Sequence, residues 1–337
     1  MLKIFQRNWP LFILAALSFL FFAKLFIPQS KIFVTPEFGM SDLWHQNLPY
    51  RFLLKEALSQ GRLPLWTDKI GMGFPLFAEG QVAALSLVNL IPTIFLPAVT
   101  SFNISFILIF LILSISTYLF VREIGISKEG AFLSAIALTF SARVVTQLNH
   151  PNILLTFAFL PLSLFLIEKY KKTKKTFWLF LLSFVLSQQV LSGHLQMAFY
   201  GWLLVGGFWV FSPPKAGSEF GKVRVRGVRR VIPLALAMSL ALGLSAVQLL
   251  PSWEFIQNSN RAIGVAEEID AFPFRLKHLL LFLRPTILGT PADASYPLNA
   301  NKEGLFGENS VYIGLIPLAL GGLGVFWGFG KKVKKGK

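Results

Sequence analysis

Acid–base chemistry is available to this chain at a short polar stretch in which Asp42 and His45 stand three residues apart. Residues at this spacing share a face of a helix, so a helical conformation would bring the carboxylate and the imidazole together. An ionised carboxylate can accept a proton from a hydroxyl group, and a neighbouring imidazole can orient the carboxylate or contact a substrate. The alternatives are that Asp42 caps a helix after Ser41 and that His45 only packs at an interface.

Further polar residues occur at two short breaks between apolar runs. Residues 147–152 read QLNHPN and residues 192–197 read SGHLQM, so each break contains a histidine and a glutamine. Arg143 lies about one helical turn before the first break. An arginine in an apolar run is costly, and it normally faces a polar partner or extends its charge to the lipid headgroups. The position of these polar residues relative to a membrane therefore depends on which apolar runs are spans.

The composition predicts a polytopic membrane protein. Hydrophobic residues make up 54% of the chain and charged residues only 14%, whereas soluble domains usually carry about 25% charged residues. The net charge of +16 would suggest nucleic acid as the partner of a soluble protein, but the basic residues form short clusters between apolar runs, which excludes that interpretation. The chain has no cysteine, so disulfides and thiolate metal sites are excluded.

Nine apolar runs approach the length that a membrane span needs, which is roughly 20 residues for a bilayer core of about 30 Å. The first run follows Lys3 and Arg7 and is longer than the apolar core of a signal peptide, so we interpret it as an uncleaved span. The runs are 9–28, 81–99, 103–121, 130–148, 152–168, 176–193, 196–212, 231–250 and 311–329.

Clusters of lysine and arginine mark the cytoplasmic loops and allow the spans to be counted. Such clusters occupy 169–175, 213–230 and the C-terminal tail, and the same rule places 122–129 and both termini in the cytoplasm. Anionic lipids are expected partners of these clusters. Three runs would then separate the N-terminus from 122–129, which parity forbids, and the run 81–99 is the weakest because it contains Asn89, Pro92 and Pro97. We therefore predict an all-α bundle of about eight spans, in which 81–99 is re-entrant or interfacial.

The candidate site is expected in two long outer segments, 29–102 and 251–310, which belong to a single transmembrane domain over residues 1–337. Connections longer than about 12–15 residues are usually functional or disordered. These segments combine Trp, Phe and Pro with paired charges, which is not typical of disorder. The spacing of apolar residues predicts a helix over 48–59 that ends at Gly61.

Several blocks in these segments resemble a known family when they are taken in order. They are 41–46 (SDLWHQ), 61–66 (GRLPLW), 73–75 (GFP), 79–81 (EGQ), 193–196 (GHLQ), 248–251 (QLLP) and Glu308 followed by 312–314 (YIG). Their order and spacing resemble the YfhO-like bacterial membrane proteins, which belong to the wider GT-C group of polytopic glycosyltransferases. The resemblance covers nearly the whole chain.

The resemblance implies a polyprenyl-phosphate sugar as donor and transfer on the outer face of the bacterial cytoplasmic (inner) membrane. The acceptor would be a glycan, lipid or protein of the cell envelope. It also implies a catalytic aspartate soon after the first span, a position that Asp42 matches. Family members are usually much longer, so the chain is expected to be truncated at its C-terminus. The first outer segment has no DxD-type acidic pair, so a metal-dependent mechanism is not supported and no cofactor is expected.

The remaining site residues follow from what glycosyl transfer needs. The departing phosphate needs a cation, for which Arg143 and Arg261 are favoured. His45 could contact the same phosphate. The sugar hydroxyls could be bound by Glu79, Gln81, His194, Gln196 and Glu308. For the two arginines the alternative is a charge that faces water or lipid, and for the residues proposed to bind sugar hydroxyls it is a hydrogen bond between helices.

Two other functions compete with glycosyl transfer. A transporter or flippase of lipid-linked sugars would be expected to show internal repeats and ionisable residues near the middle of the bilayer. Neither is evident, because the polar residues concentrate at the outer edge of the predicted spans. A non-catalytic membrane assembly protein is the other alternative.

Overall fold

A computed structural model describes residues 2–34, 41–212, 231–260, 275–296 and 306–334. Within these ranges the regular structure is helical, which confirms the all-α part of the predicted fold class. The helices before the middle of the chain are α1 (Leu2–Phe22), α2 (Leu48–Ser59), α3 (Leu76–Glu79), α4 (Leu87–Phe95), α5 (Ala98–Glu123), α6 (Lys128–Thr139) and α7 (Ala142–Thr146). They are followed by α8 (Pro151–Thr173), α9 (Phe177–Leu191), α10 (Leu195–Phe211), α11 (Ile232–Gln257), α12 (Phe306–Asn309) and α13 (Leu315–Lys334).

Five helical stretches are long and apolar enough to cross a membrane. They are Asn8–Leu25, Ala98–Glu123, Lys128–Asn149, Pro151–Thr173 and Ile232–Gln257. Three shorter apolar helices, Phe177–Leu191, Leu195–Phe211 and Leu315–Val325, coincide with the other predicted spans. The length and composition of the described helices thus support a membrane protein, and the count of eight spans stays a prediction.

The apolar run 81–99 does not form a spanning helix. Its helical part, α4, has only nine residues, which corresponds to about 14 Å, less than half the core of about 30 Å. The residues before it form turns, and Pro97 is the N-cap of α5, to which the last two residues of the run belong. This run therefore has no helix of spanning length, as predicted, and its re-entrant or interfacial position stays a prediction.

The centre of the bundle is α5, which packs against α1, α4, α6 and α8. Its buried residues Phe102, Phe106 and Phe110 belong to one core together with Leu154 and Leu155 of α8. Lipid is as apolar as these side chains, so close packing rather than exclusion of water holds such helices together. This core fixes the position of α8, at whose N-terminus the candidate site begins.

The predicted helix over 48–59 is present as α2 and is followed by a turn in which Gly61 has a φ of +68°. Arg51, on its buried face, donates from Nη1 to Ser105 Oγ (3.0 Å) and Thr93 Oγ1 (3.2 Å), and from Nη2 to Asn89 Oδ1 (2.6 Å). Burial lowers the pKa of Arg51 to about 9, so the guanidinium stays protonated at neutral pH. Arg51 thereby joins α2 to α4 and α5.

Replacement of Arg51 by alanine should destabilise the protein by about 3 kcal/mol, because it removes three buried hydrogen bonds and leaves a cavity. The measurement is thermal unfolding of the purified protein in detergent, followed by tryptophan fluorescence. Arg62→Ala is the matched control, since Arg62 is exposed and bonds only to Gln60 among the described side chains. Equal melting temperatures for the two variants would contradict the anchoring role of Arg51.

Candidate functional site

The side chain of Asp42 faces an imidazole that lies far away in the sequence. Asp42 occupies the N-cap position of a short π-helix, Leu43–Asn47, but its side chain makes no capping hydrogen bond. Its Oδ2 lies 3.3 Å from Nε2 of His150, and 54% of the Asp42 side chain is exposed. The capping alternative is therefore not realised, and Asp42 forms a carboxylate–imidazole pair that is open to an incoming molecule. His45 lies in the same π-helix, with its backbone N–H donating to Ser41 O.

His150 is held at the start of α8, where it follows the 3-10 helix Gln147–Asn149. Its Nδ1 is buried and has no hydrogen-bond partner among the described residues. Because Nε2 is the nitrogen that faces the Asp42 carboxylate, we assign the proton of neutral His150 to Nε2. The Nε2–H of the imidazole then faces the Asp42 carboxylate across this 3.3 Å contact, which favours one orientation of the carboxylate.

A second carboxylate, that of Glu79, lies beside the π-helix. Its Oε2 accepts from the backbone N–H of Gln81 (2.8 Å), and its Oε1 accepts from Gln81 Nε2 (2.6 Å). Gln46 of the π-helix donates to Oε1 over 3.5 Å. Burial raises the pKa of Tyr50 in α2, and the negative charge of Glu79 raises it further. The predicted residues Glu79 and Gln81 are therefore hydrogen-bonded to each other next to the segment that carries Asp42. We call these two residues the Glu79 unit.

The backbone around Glu79 and Gln81 is irregular, and side chains of the apolar helices bind it. Asn152 Nδ2 donates to Gln81 O (2.8 Å), and Gln248 Nε2 donates to Phe77 O (2.8 Å). Ser252 Oγ donates to Ala78 O (2.7 Å), and Gln188 Oε1 accepts from the Leu87 N–H (3.0 Å). Irregular backbone at membrane depth needs such partners, because lipid offers none. We refer to these four side chains, from α8, α9 and α11, as the polar clamp.

His194 is brought to the same unit by the turn between α9 and α10. The preceding Gly193 has a φ of +86°, and a Cβ at this position would lie 2.6 Å from Gly80 O and 2.9 Å from Gln81 Cα. His194 caps α10, with Nδ1 accepting from the Met197 N–H (3.2 Å). Burial lowers the pKa of His194, and the nearby His150 lowers it further. The structure thus brings together the following predicted residues and one further histidine: Asp42, Glu79, Gln81, His194 and His150.

The other predicted site residues make separate contacts. Gln196 is exposed on α10 and donates to Tyr200 Oη (3.0 Å). Arg143 Nη1 donates to the backbone oxygens of Gly307 (3.1 Å) and Glu308 (2.9 Å), so it joins α7 to α12. Arg143 therefore makes a contact between helices, which differs from the charge facing water or lipid that was the alternative to phosphate binding. Arg261 lies outside the described residues.

The residues that sequence reasoning missed are His150 and the polar clamp. The motif QLNHPN drew attention to 147–152, but nothing in it identified Asp42 as the partner of His150. Asn152 and Gln248 lie within the blocks QLNHPN and QLLP, but nothing in the sequence identified the members of the clamp as partners of the backbone near Glu79 and Gln81. Among the described residues, no group of three histidine, aspartate or glutamate side chains is arranged to hold a metal ion.

Comparison with known proteins leaves the family open. No family model matches the chain, and no curated protein or solved structure is detectably similar to it. The resemblance to the YfhO-like proteins therefore stays a prediction, and the function has to be argued from the site.

Replacement of Gly193 by alanine should destabilise the protein by about 2 kcal/mol or more, because the new methyl group meets the backbone of Gly80 and Gln81 at a positive φ. The measurement is the melting temperature in detergent. Gly206→Ala is the control, since Gly206 lies within α10 and a Cβ there meets no atom within 4 Å. A Gly193 variant as stable as the Gly206 variant would contradict this packing.

The stability of the protein should fall as the pH drops below about 6.5, the usual pKa of histidine. Burial lowers the pKa of His194 in the folded chain, so below this pH the unfolded chain binds a proton that the folded chain excludes. In His194→Asn, whose side-chain oxygen can still cap α10, the loss of stability on acidification should be smaller. Melting temperatures of both proteins at about pH 7.5 and about pH 5.5 test this. An identical decrease in both would rule out His194 as the source.

Proposed function

We propose that this chain is a glycosyltransferase of the bacterial cytoplasmic membrane. It moves a sugar from a polyprenyl-phosphate donor to a hydroxyl group of a cell-envelope acceptor on the outer face. The observation that carries the proposal is the contact between the half-exposed Asp42 carboxylate and His150 at the end of an apolar helix.

The position of the pair suits a substrate whose phosphate lies at the membrane surface. His150 directly precedes α8 and His194 directly precedes α10, so both histidines stand at the ends of apolar helices. The opposite end of α8 carries the basic cluster 169–175, which the positive-inside rule assigns to the cytoplasm. The candidate site is then on the outer side, and both termini are cytoplasmic.

The Asp42 carboxylate acts as the general base in this proposal. It takes the proton of the acceptor hydroxyl while the hydroxyl oxygen bonds to the anomeric carbon of the sugar. The bond between that carbon and the phosphate oxygen breaks, and the polyprenyl phosphate leaves with the electron pair. Because Oδ2 of Asp42 faces His150, the other carboxylate oxygen is the one that accepts the proton.

Other side chains of the site fit the remaining parts of the substrate. Glu79, Gln81 and His194 offer acceptors and donors for sugar hydroxyls beside Asp42. Trp44 donates from Nε1 to Phe33 O and is 40% exposed, so it is available to stack on the sugar. Arg143 and Arg261 stay the candidates for the departing phosphate.

Replacement of Asp42 by asparagine should lower the rate of sugar transfer by about 10²-fold or more, because the amide cannot accept the proton. The measurement is transfer from radiolabelled polyprenyl-phosphate sugars by membranes that contain equal amounts of each variant. Asp68→Asn is the matched control, since Asp68 is an exposed carboxylate of the same outer segment, and it should leave the rate unchanged.

Equal transfer by the wild type and Asp42→Asn would exclude Asp42 as the base. Absence of transfer by the wild type across a broad set of donors and acceptors would contradict the proposed activity. That outcome would favour the transporter or the assembly protein.

A further inference from the structure

A small hairpin projects from the first outer segment. It is closed by an antiparallel pair of hydrogen bonds between Thr67 and Phe74, with N···O distances of 3.0 and 2.8 Å. The ring of Trp66 lies against Gly73, where a Cβ would come within 2.5 Å of the indole. Only glycine fits beneath this ring, so the position of Trp66 is tied to the backbone of the hairpin. We call residues 63–74 the outer hairpin.

The outer hairpin exposes apolar side chains. Met72 is fully exposed, while Leu65 is 61% and Trp66 60% exposed. Met72 also has a φ of +66°, a left-handed conformation that residues other than Gly, Asn and Asp adopt infrequently. If the turn required only a left-handed residue at this position, a glycine or a small polar residue would be expected there instead of methionine. A group of exposed apolar side chains in such a place is typical of an interaction surface.

The hairpin lies beside the end of an apolar helix. The ring of Phe74 contacts that of Phe255 in α11, with centroids 5.9 Å apart. Directly after the hairpin, the carbonyl groups of Phe77 and Ala78 accept hydrogen bonds from Gln248 and Ser252 of the same helix. The hairpin is therefore held at the level of the last turns of α11.

The length of α11 places those last turns at the membrane surface. The helix has 26 residues, which corresponds to about 39 Å, longer than a hydrocarbon core of about 30 Å. Both of its ends must then reach the headgroup layer, whichever side each end faces. In its last turns Leu250 is 69% and Trp253 64% exposed. The exposed apolar residues of the hairpin thus continue a surface that the helix already presents to lipid.

We propose that the outer hairpin inserts its tip, formed by Leu65, Trp66 and Met72, into the adjacent leaflet of the phospholipid bilayer. Tryptophan favours the interface between headgroups and acyl chains, and amphipathic segments of this kind lie about 5–10 Å into that boundary. Lys69 of the hairpin is paired with Glu56 of α2 over 2.6 Å, so this charge is bound to the protein. The inserted tip anchors the first outer segment, which also carries Asp42, to the membrane. The proposal depends on neither glycosyl transfer nor the orientation of the chain.

The absence of cysteine from the chain allows a direct test by spin labelling. Met72→Cys carries a nitroxide at a fully exposed position, so the variant should fold as the wild type does. The labelled protein is reconstituted into vesicles of phosphatidylethanolamine and phosphatidylglycerol. Collision rates with oxygen, which concentrates in lipid, and with a water-soluble nickel chelate are then measured. Leu242→Cys, on an exposed position within α11, is the lipid reference, and Glu129→Cys, exposed at the start of α6, is the water reference.

At position 72, the ratio of the oxygen collision rate to the nickel collision rate should be several-fold above the ratio at position 129. It should approach the ratio at position 242. A ratio equal to that at Glu129 would overturn the proposal, because the tip would then lie in water. Low collision rates with both reagents would also overturn it, since they would show that protein, such as a second copy of the chain, covers the tip.

Discussion

The backbone from Phe77 to Leu87, which consists of the short helix α3 and the turns that follow it, has to find hydrogen-bond partners at the level where apolar helices end. In hydrocarbon an unsatisfied peptide group costs several kcal/mol, so this segment cannot lie among the helices unless they supply those partners. The clamp of Asn152, Gln188, Gln248 and Ser252 does so from three helices that are distant in sequence. The rest of the candidate site depends on this clamp.

The clamp also determines which functional side chains meet. Asn152 follows His150 by two residues on α8, so the helix that binds the Gln81 carbonyl also presents the imidazole to Asp42. The close approach of Gly193 to Gly80 and Gln81 brings the start of α10 to the same place. At the other end of the segment, Arg51 binds Asn89 and Thr93 and so joins α4 to α2. The Asp42 pair, the Glu79 unit and His194 are therefore positioned by a shared set of contacts.

Much of the fold could be predicted from the sequence, because it depends on local patterns. Helix α2 over 48–59 followed from its spacing and from Gly61, and the lack of a spanning helix in 81–99 followed from charge and parity. Composition and position also selected Asp42, Glu79, Gln81 and His194 one by one. What joins them could not be predicted, because no spacing rule relates Asp42 to a histidine more than 100 residues away. Arg51 escaped notice because an arginine on a short amphipathic helix normally faces water.

The most direct test of this account is a cross-link between the two segments that form the acid–base pair. Asp42→Cys and His150→Cys are combined in the chain, which has no other cysteine, and membranes are treated with a short bifunctional thiol reagent. The control combines Asp42→Cys with Glu129→Cys, since Glu129 lies near the start of the apolar stretch Lys128–Asn149 and His150 follows its other end. The account predicts rapid intramolecular cross-linking of 42 with 150 and none of 42 with 129. Equal, slow reaction of both pairs would contradict it, because Asp42 and His150 would then not share a site.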